Sequence, residues 1–235
     1  MKRSTSDHIP DVPFRHIDAA FLAELATTLL PRRGVTARQV VGIAGIPGSG
    51  KSTFATMLVD ALNNRIDGAA TLVPMDGFHH SNQWLHQHNL MLRKGASETF
   101  DATGYLALLK NLRCSEISVP FPVYDRERHE PVLDPQSDHV ITASTQVVIT
   151  EGNYLLLDTE PWLRLATILD ACWWLDTPMD TARRWILARH VRGGRTPEDA
   201  ATHYARNDAA NAHQAMQCMR IPDLILRWPG LDHAQ

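Results

Sequence analysis

Phosphate chemistry is written most plainly in Gly45-Ile46-Pro47-Gly48-Ser49-Gly50-Lys51-Ser52, which satisfies G-x-x-x-x-G-K-[ST] at every fixed position. Glycines let backbone N–H groups turn inward around phosphate oxygens, and a helix that follows adds its positive N-terminal end. Lys51 is placed to reach β- and γ-phosphates, and the Ser52 hydroxyl to ligate Mg²⁺. The nucleotide-binding residues are read as Gly45, Pro47, Gly48, Ser49, Gly50, Lys51, Ser52 and Thr53.

Two carboxylates and an arginine cluster extend the pattern. Asp76 sits in Pro74-Met75-Asp76-Gly77-Phe78-His79, where it can accept or orient the proton of an attacking hydroxyl. Glu151 closes Val147-Val148-Ile149-Thr150-Glu151-Gly152 as a single carboxylate before glycine. A motor-type ATPase would carry an acidic pair there, and none of the four lysines lies in an Asn-Lys-x-Asp guanine-reading motif, so a phosphotransferase is the reading that survives. Six of the nineteen arginines fall between positions 183 and 206. Arg189 and Arg192 share a helix face at i,i+3, and Gly193-Gly194 gives a flexible break, which describes a lid able to stabilise a transferring phosphoryl group.

The elements that must hold these residues are also legible. Apolar, often β-branched runs at Gln39–Ala44, Ala70–Met75, Gln146–Glu151, Ala171–Asp176 and Leu224–Arg227 read as buried strands. Helical spacing occurs over Ala19–Leu30 (ended by Pro31), Ser52–Asn63, Tyr105–Leu112 and Met179–Val191. Strands apolar on both faces that alternate with helices imply a parallel sheet covered on both sides. The fold class is therefore α/β: a three-layer P-loop NTPase fold with a five-stranded, mainly parallel sheet and an Arg-rich helical lid. Such sheets bind ligands beyond the carboxyl ends of their strands, here after Ala44, Met75, Glu151 and Asp176. Trp173 and Trp174, inside a strand, are read as packing.

Composition narrows the class further. With 235 residues, 44% of them hydrophobic, and no internal repeat, one domain spanning 1–235 is expected, with an acceptor region at 77–135 and the lid at 183–206. A net charge of −3 argues against a nucleic-acid binder. No apolar run approaches a membrane span, and the polar first residues hold no secretory apolar core. Cys114, Cys172 and Cys218 form no CxxC, which favours a reducing, cytoplasmic setting. The histidines His79, His80, His86 and His88 lack cysteine partners, so hydrogen bonding of His79 to an acceptor substrate is preferred to a metal site.

On these motifs the chain resembles the superfamily of uridine kinases, phosphoribulokinases and bacterial pantothenate kinases, from about Val40 to Arg227. Asp76-Gly77-Phe78 is similar to the Asp-Gly-Phe of pantothenate kinases, and Arg93-Lys94-Gly95-Ala96-Ser97-Glu98-Thr99-Phe100-Asp101 to their Lys-Gly segment, with Ser97 in place of proline. Val119 to Tyr124 resembles a substrate-side strand ending in tyrosine, and Ile221-Pro222-Asp223-Leu224-Ile225-Leu226 a terminal strand. Tyr124-Asp125-Arg126-Glu127-Arg128-His129 departs from both namesakes, and the nearest resemblance is to short bacterial nucleoside/nucleotide kinase-like or fructose-transport-kinase-like proteins. The resemblance implies an ATP- and Mg²⁺-dependent kinase acting on an alcohol of a nucleoside, a pantothenate-like molecule or a sugar. It implies Asp76 as catalytic aspartate, Glu151 assisting Mg²⁺, Arg189 as lid arginine and Asn211 near adenine. Lys94, Tyr124, Asp125 and Arg126 would then shape the acceptor pocket. Dimers are common in such families, although no amphipathic stripe singles out an interface. The alternative is a nucleotide-binding regulatory protein with little turnover.

Overall fold

A computed structural model describes residues 12–30, 38–113, 118–134, 139–217 and 219–231. Pro31, Cys114 and Cys218 lie outside these residues. The first half runs from β1 (Phe14–His16) and α1 (Ala19–Thr28) through β2 (Gln39–Ala44), α2 (Lys51–Asn63) and β3 (Ala70–Pro74). A 3₁₀ turn (Met75–Phe78), α3 (Asn82–Gln87) and α4 (Ala102–Leu112) follow. Two small ribbons come next, built from β4 (Val119–Pro120), β5 (Val123–Asp125), β6 (Glu130–Val132) and β7 (Val140–Ile141). The chain then re-enters the sheet as β8 (Val147–Gly152) and β9 (Ala171–Leu175). It leaves through α5 (Met179–Arg192), α6 (Pro197–His203), a π turn (Tyr204–Asp208) and α7 (Ala209–Gln217), and ends in β10 (Leu224–Arg227).

All the pairings of the main sheet are parallel, in the order β1-β10-β9-β2-β8-β3. The expected five strands are present, and β1 adds a sixth at the edge. The period-2 rule explains why the inner strands look apolar throughout. Val40, Ala44, Val148 and Trp174 face one hydrophobic layer with Tyr105, Leu109 and Trp162. Val41, Ile43, Ile149 and Trp173 face the other, with Phe54, Leu58 and Phe21. Both tryptophans are thus packing residues. Met57, which the helical spacing places with Phe54 and Leu58, is exposed instead.

The segment expected as one strand from Val119 to Tyr124 is a correction. It splits into β4, paired with β7, and β5, paired with β6, both antiparallel. Pro120 and Pro122 carry no N–H to donate, so a continuous ladder is denied at two positions.

Arg38, just before β2, is buried and donates to three backbone oxygens: Thr145 at 2.9 Å, Leu112 at 2.9 Å and Thr142 at 2.7 Å. It ties the C-terminal end of α4 to the entry of β8, where a cation also meets the negative end of the helix. Arg38→Ala strands those carbonyls out of water and should cost about 2–4 kcal/mol. Urea unfolding would read that loss as a lower midpoint at unchanged slope.

Candidate active site

The loop between β2 and α2 is shaped by close approach. Gly48 has φ +77°, and a Cβ there would lie 2.5 Å from the carbonyl oxygen of Ala182 on α5. Gly50 has φ +92° and serves as N-cap of α2, with its α-carbon against the Trp228 indole. The carbonyl of Ser49 is fixed twice, accepting from the Thr177 hydroxyl at 2.9 Å and from Trp228 Nε1 at 3.1 Å. Its side-chain Oγ is buried with no hydrogen-bond partner, an orphan that a phosphate oxygen would satisfy. Lys51 is 8% exposed and donates to Asn153 Oδ1 at 2.8 Å and Ile46 O at 3.1 Å. Burial pushes its pKa down, against the opposing pull of Glu151 and Asp76.

Glu151 and Asp76 are brought together by neighbouring strand tips. Thr150 donates to Val73 O at 2.6 Å, locking β8 to β3 where the two carboxylates emerge. Gly152 allows Met75 to pass: a Cβ there would meet Met75 Sδ at 2.6 Å. Glu151 Oε1 accepts from the Ser52 hydroxyl at 2.9 Å. Burial raises the Glu151 pKa, and Lys51 chiefly opposes that rise. A hydroxyl and a carboxylate oxygen beside a phosphate cradle form the hard-oxygen donor set that suits Mg²⁺. Asp76, in the 3₁₀ turn, is close enough for its charge to act on Lys51, Glu151, Arg189 and Tyr124.

A cleft of about 330 Å³ opens over the loop, lined by Lys51, Ser52, Thr53, Arg126, Trp185, Arg189 and Arg192 among others. α5 buries only Thr181, Ala182 and Ile186 and turns its arginines outward or into this cleft. The sequence placed Arg126 with the acceptor pocket; the structure puts it with the two lid arginines over the phosphate loop.

The sequence model of the Phosphoribulokinase / Uridine kinase family matches residues 40–228. The chain belongs to this family. The Escherichia coli "Uncharacterized protein YggC" is 37% identical over 217 residues, covering 91% of this chain and 84% of that one. A Schizosaccharomyces pombe protein, "Putative uridine kinase C227.14", is 32% identical over 198 residues, 81% and 83% of the two chains. The crystal structure of a "putative fructose transport system kinase" from Silicibacter sp. TM1040 superposes with a TM-score of 0.80 at 34% identity, over 89% of this chain and 98% of the other. The protein is a phosphotransferase.

On the acceptor side of this phosphoribulokinase/uridine kinase family member, Gly77 is the pivot. A Cβ on it would lie 2.0 Å from Pro122 O, so only glycine lets the strand carrying Tyr124 cross the Asp76 turn. Gly77→Ala should cost about 1–3 kcal/mol through overpacking. It should also lower kcat far more than it weakens nucleotide binding, because Asp76 and Tyr124 move apart while the phosphate loop stays in place. Thermal melts and paired kinetic and calorimetric measurements check both parts.

His79 donates through Nδ1 to Asp76 O at 2.8 Å, fixed by the neighbouring acyl oxygen rather than free to turn. Its ring lies 4.0 Å from Phe100 and 4.8 Å from Tyr124, centroid to centroid. Burial lowers its pKa, so the neutral ring, with Nε2 as acceptor, is favoured. Lys94 donates to Asn82 Oδ1 and His129 O, both at 2.5 Å, and stands 5.3 Å from the Tyr124 ring. Two of its three donors are thus spent, one on the start of α3 and one on the β5–β6 turn. Burial, then Asp76, raises the Tyr124 phenol to about 12, keeping it protonated.

Asp125, which the sequence sets among the residues shaping the acceptor pocket, accepts at Oδ1 from the backbone N–H groups of Glu127 at 2.8 Å and Arg128 at 3.0 Å. The carboxylate closes the hairpin turn, and the Arg128 N–H holds its pKa down. Asn211 was expected near adenine. It is buried on α7 beside Gly95, its Nδ2 3.3 Å from where a Cβ on Gly95 would lie, in the Lys94-Gly95 region rather than at the phosphate loop. Nearby, Tyr154 donates to Gly95 O at 2.8 Å and Gln214 to Ser97 Oγ at 2.8 Å. Sequence reasoning missed Asn153, Thr177, Trp185 and Trp228; only Asn153, next to Glu151-Gly152, carried a local signal.

Proposed function

We propose that this kinase transfers the γ-phosphate of Mg·ATP to an alcohol of a small acceptor, of the nucleoside, pantothenate-like or sugar class. The observation that carries this reading is the position of Asp76. Its turn follows the tip of β3, where Pro74 pairs with Glu151, and the next residue, Gly77, packs on Pro122 just before the strand that carries Tyr124, which supports a carboxylate between donor and acceptor.

The loop amides and Lys51 bind the β- and γ-phosphates, the ammonium exchanging Asn153 and Ile46 for phosphate oxygens. Ser52 and Glu151 would hold Mg²⁺, which when bound neutralises charge on the phosphate oxygens. Asp76 takes the proton of the attacking hydroxyl. Arg189, Arg192 and Arg126 place guanidinium donors around the equatorial oxygens as charge spreads over them. Tyr124 and the remaining Lys94 donor face the acceptor, and His79 acts as a positioning residue by holding the Asp76 backbone.

A coupled ADP-release assay with Mg·ATP against nucleosides, pantothenate, pentoses and hexoses tests the proposal. One acceptor that raises turnover by orders of magnitude, with the rise lost in Lys51→Ala, supports it and identifies the acceptor. Tight ATP binding with a flat panel, and no phosphorylated product in a metabolite extract, replaces it with the regulatory reading.

A further inference from the structure

Away from the phosphate cleft, three potential ligands converge where the lid folds back on itself. His190 lies in the last turn of α5, His203 closes α6, and Asp208 ends the π turn. His190 Nε2 and Asp208 Oδ2 are 3.0 Å apart, and the rings of His190 and His203 meet edge to face at 4.9 Å. One ligand atom from each residue lies within 4.8 Å of the others, and all three side chains are half-buried.

The backbone is bent to make this happen. In a regular α-helix, positions five apart stand roughly 140° from each other, so His203 and Asp208 would face apart. Here the helix is widened, with Ala209 N–H donating to Tyr204 O five residues back, which brings them onto one side, towards α5. Such π turns cost stability and are frequent at functional sites.

We propose that His190, His203 and Asp208 form a binding site for a borderline transition-metal ion, Zn²⁺ in the first instance, separate from the Mg²⁺ used in phosphoryl transfer. Two imidazoles and one carboxylate are a zinc donor set, with a fourth position left for water. Zinc ligands sit about 2.0–2.2 Å from the metal, a separation that side-chain rotation can reach from the observed spacing. The ion takes the place of the hydrogen bond between His190 Nε2 and Asp208 Oδ2, the ring proton moving to Nδ1 so that Nε2 can ligate. An entry path exists, since His203 lines an open cleft of about 730 Å³ with Arg195, Asp199 and Arg206. Arg195 and Asp199, on the same cleft as His203, and Arg189, next to His190 in sequence, are the charged groups close to the site. Because Arg189 directly precedes His190, an ion here also fixes the helix that carries the lid arginine.

The test is zinc titration of the full chain, stripped with a chelator and assayed in millimolar Mg²⁺, by calorimetry. One zinc per chain at micromolar or lower concentration is expected. Binding should weaken at least about tenfold in His203→Ala and in Asp208→Asn but not in His86→Ala. Co²⁺ substitution should give visible absorption of a four- or five-coordinate ion, lost in the same two variants. Melting in chelator separates loss of the site from loss of fold, and His203→Gln carries the test if the alanine variant does not fold. No zinc binding would reduce the cluster to a hydrogen bond between His190 and Asp208. Equal affinity in all variants, or dependence on His86, would place the ion elsewhere. Each of these outcomes overturns the proposal.

Discussion

Asp76→Asn is expected to lower kcat by about 10²–10⁴ while Mg·ATP binds as tightly as before, or more tightly. Asparagine keeps the shape of the side chain but cannot take a proton from the acceptor hydroxyl. The charge removed is negative and stands beside the phosphate site, close enough to act on Lys51 and Arg189. Its loss therefore relieves repulsion towards the triphosphate and leaves the loop contacts in place. Turnover by coupled assay and affinity by calorimetry, on the same preparation, give the two halves of the result. Full turnover would remove Asp76 from the chemistry. A parallel fall in turnover and affinity would make it a structural residue of the loop.

Arg189→Ala is the second large effect, about 10²–10³ in kcat, the usual cost of deleting one donor aimed at developing charge. The α5 helix lies against the phosphate loop, with Gly48 packed on the carbonyl of Ala182, so its arginines are held over the phosphates by a rigid contact. Lysine should restore only part of the rate, because it carries the charge without the planar fork. Single-turnover measurements should show the loss in the chemical step. A change confined to the KM for ATP would mean that Arg189 binds ground state and transition state alike.

What the sequence discloses here follows the range of the forces involved. The phosphate loop, the strand tips at Asp76 and Glu151 and the apolar strands are local patterns, readable because glycine spacing and period-2 burial act over a few residues. β1 escaped notice because Phe14, Arg15 and His16 are all exposed and show no apolar run. Asp125 and Arg126 adjoin in sequence, yet a tight turn sends one carboxylate back onto its own backbone and the next guanidinium into the phosphate cleft. The place of Asn211 depends on how α7 docks against Gly95, a contact between distant segments that no local pattern discloses. The convergence of His190, His203 and Asp208 was hidden by the π turn, since helical spacing read at 3.6 residues sets the last two on different faces.

The pairing of β1 has a consequence for how the molecule comes into being. Among the described residues its one neighbour in the sheet is β10, so residues 14–16 wait for residues 225–227. On a ribosome, β1 emerges about 210 residues before the strand it pairs with. Synthesis at about 5–20 residues per second spreads that delay over roughly ten seconds or more. A short, solvent-facing, charge-bearing strand is well suited to the wait, because it offers little for other chains to stick to. The strand that follows α7 and anchors Trp228 against the phosphate loop is also the one that gathers in β1.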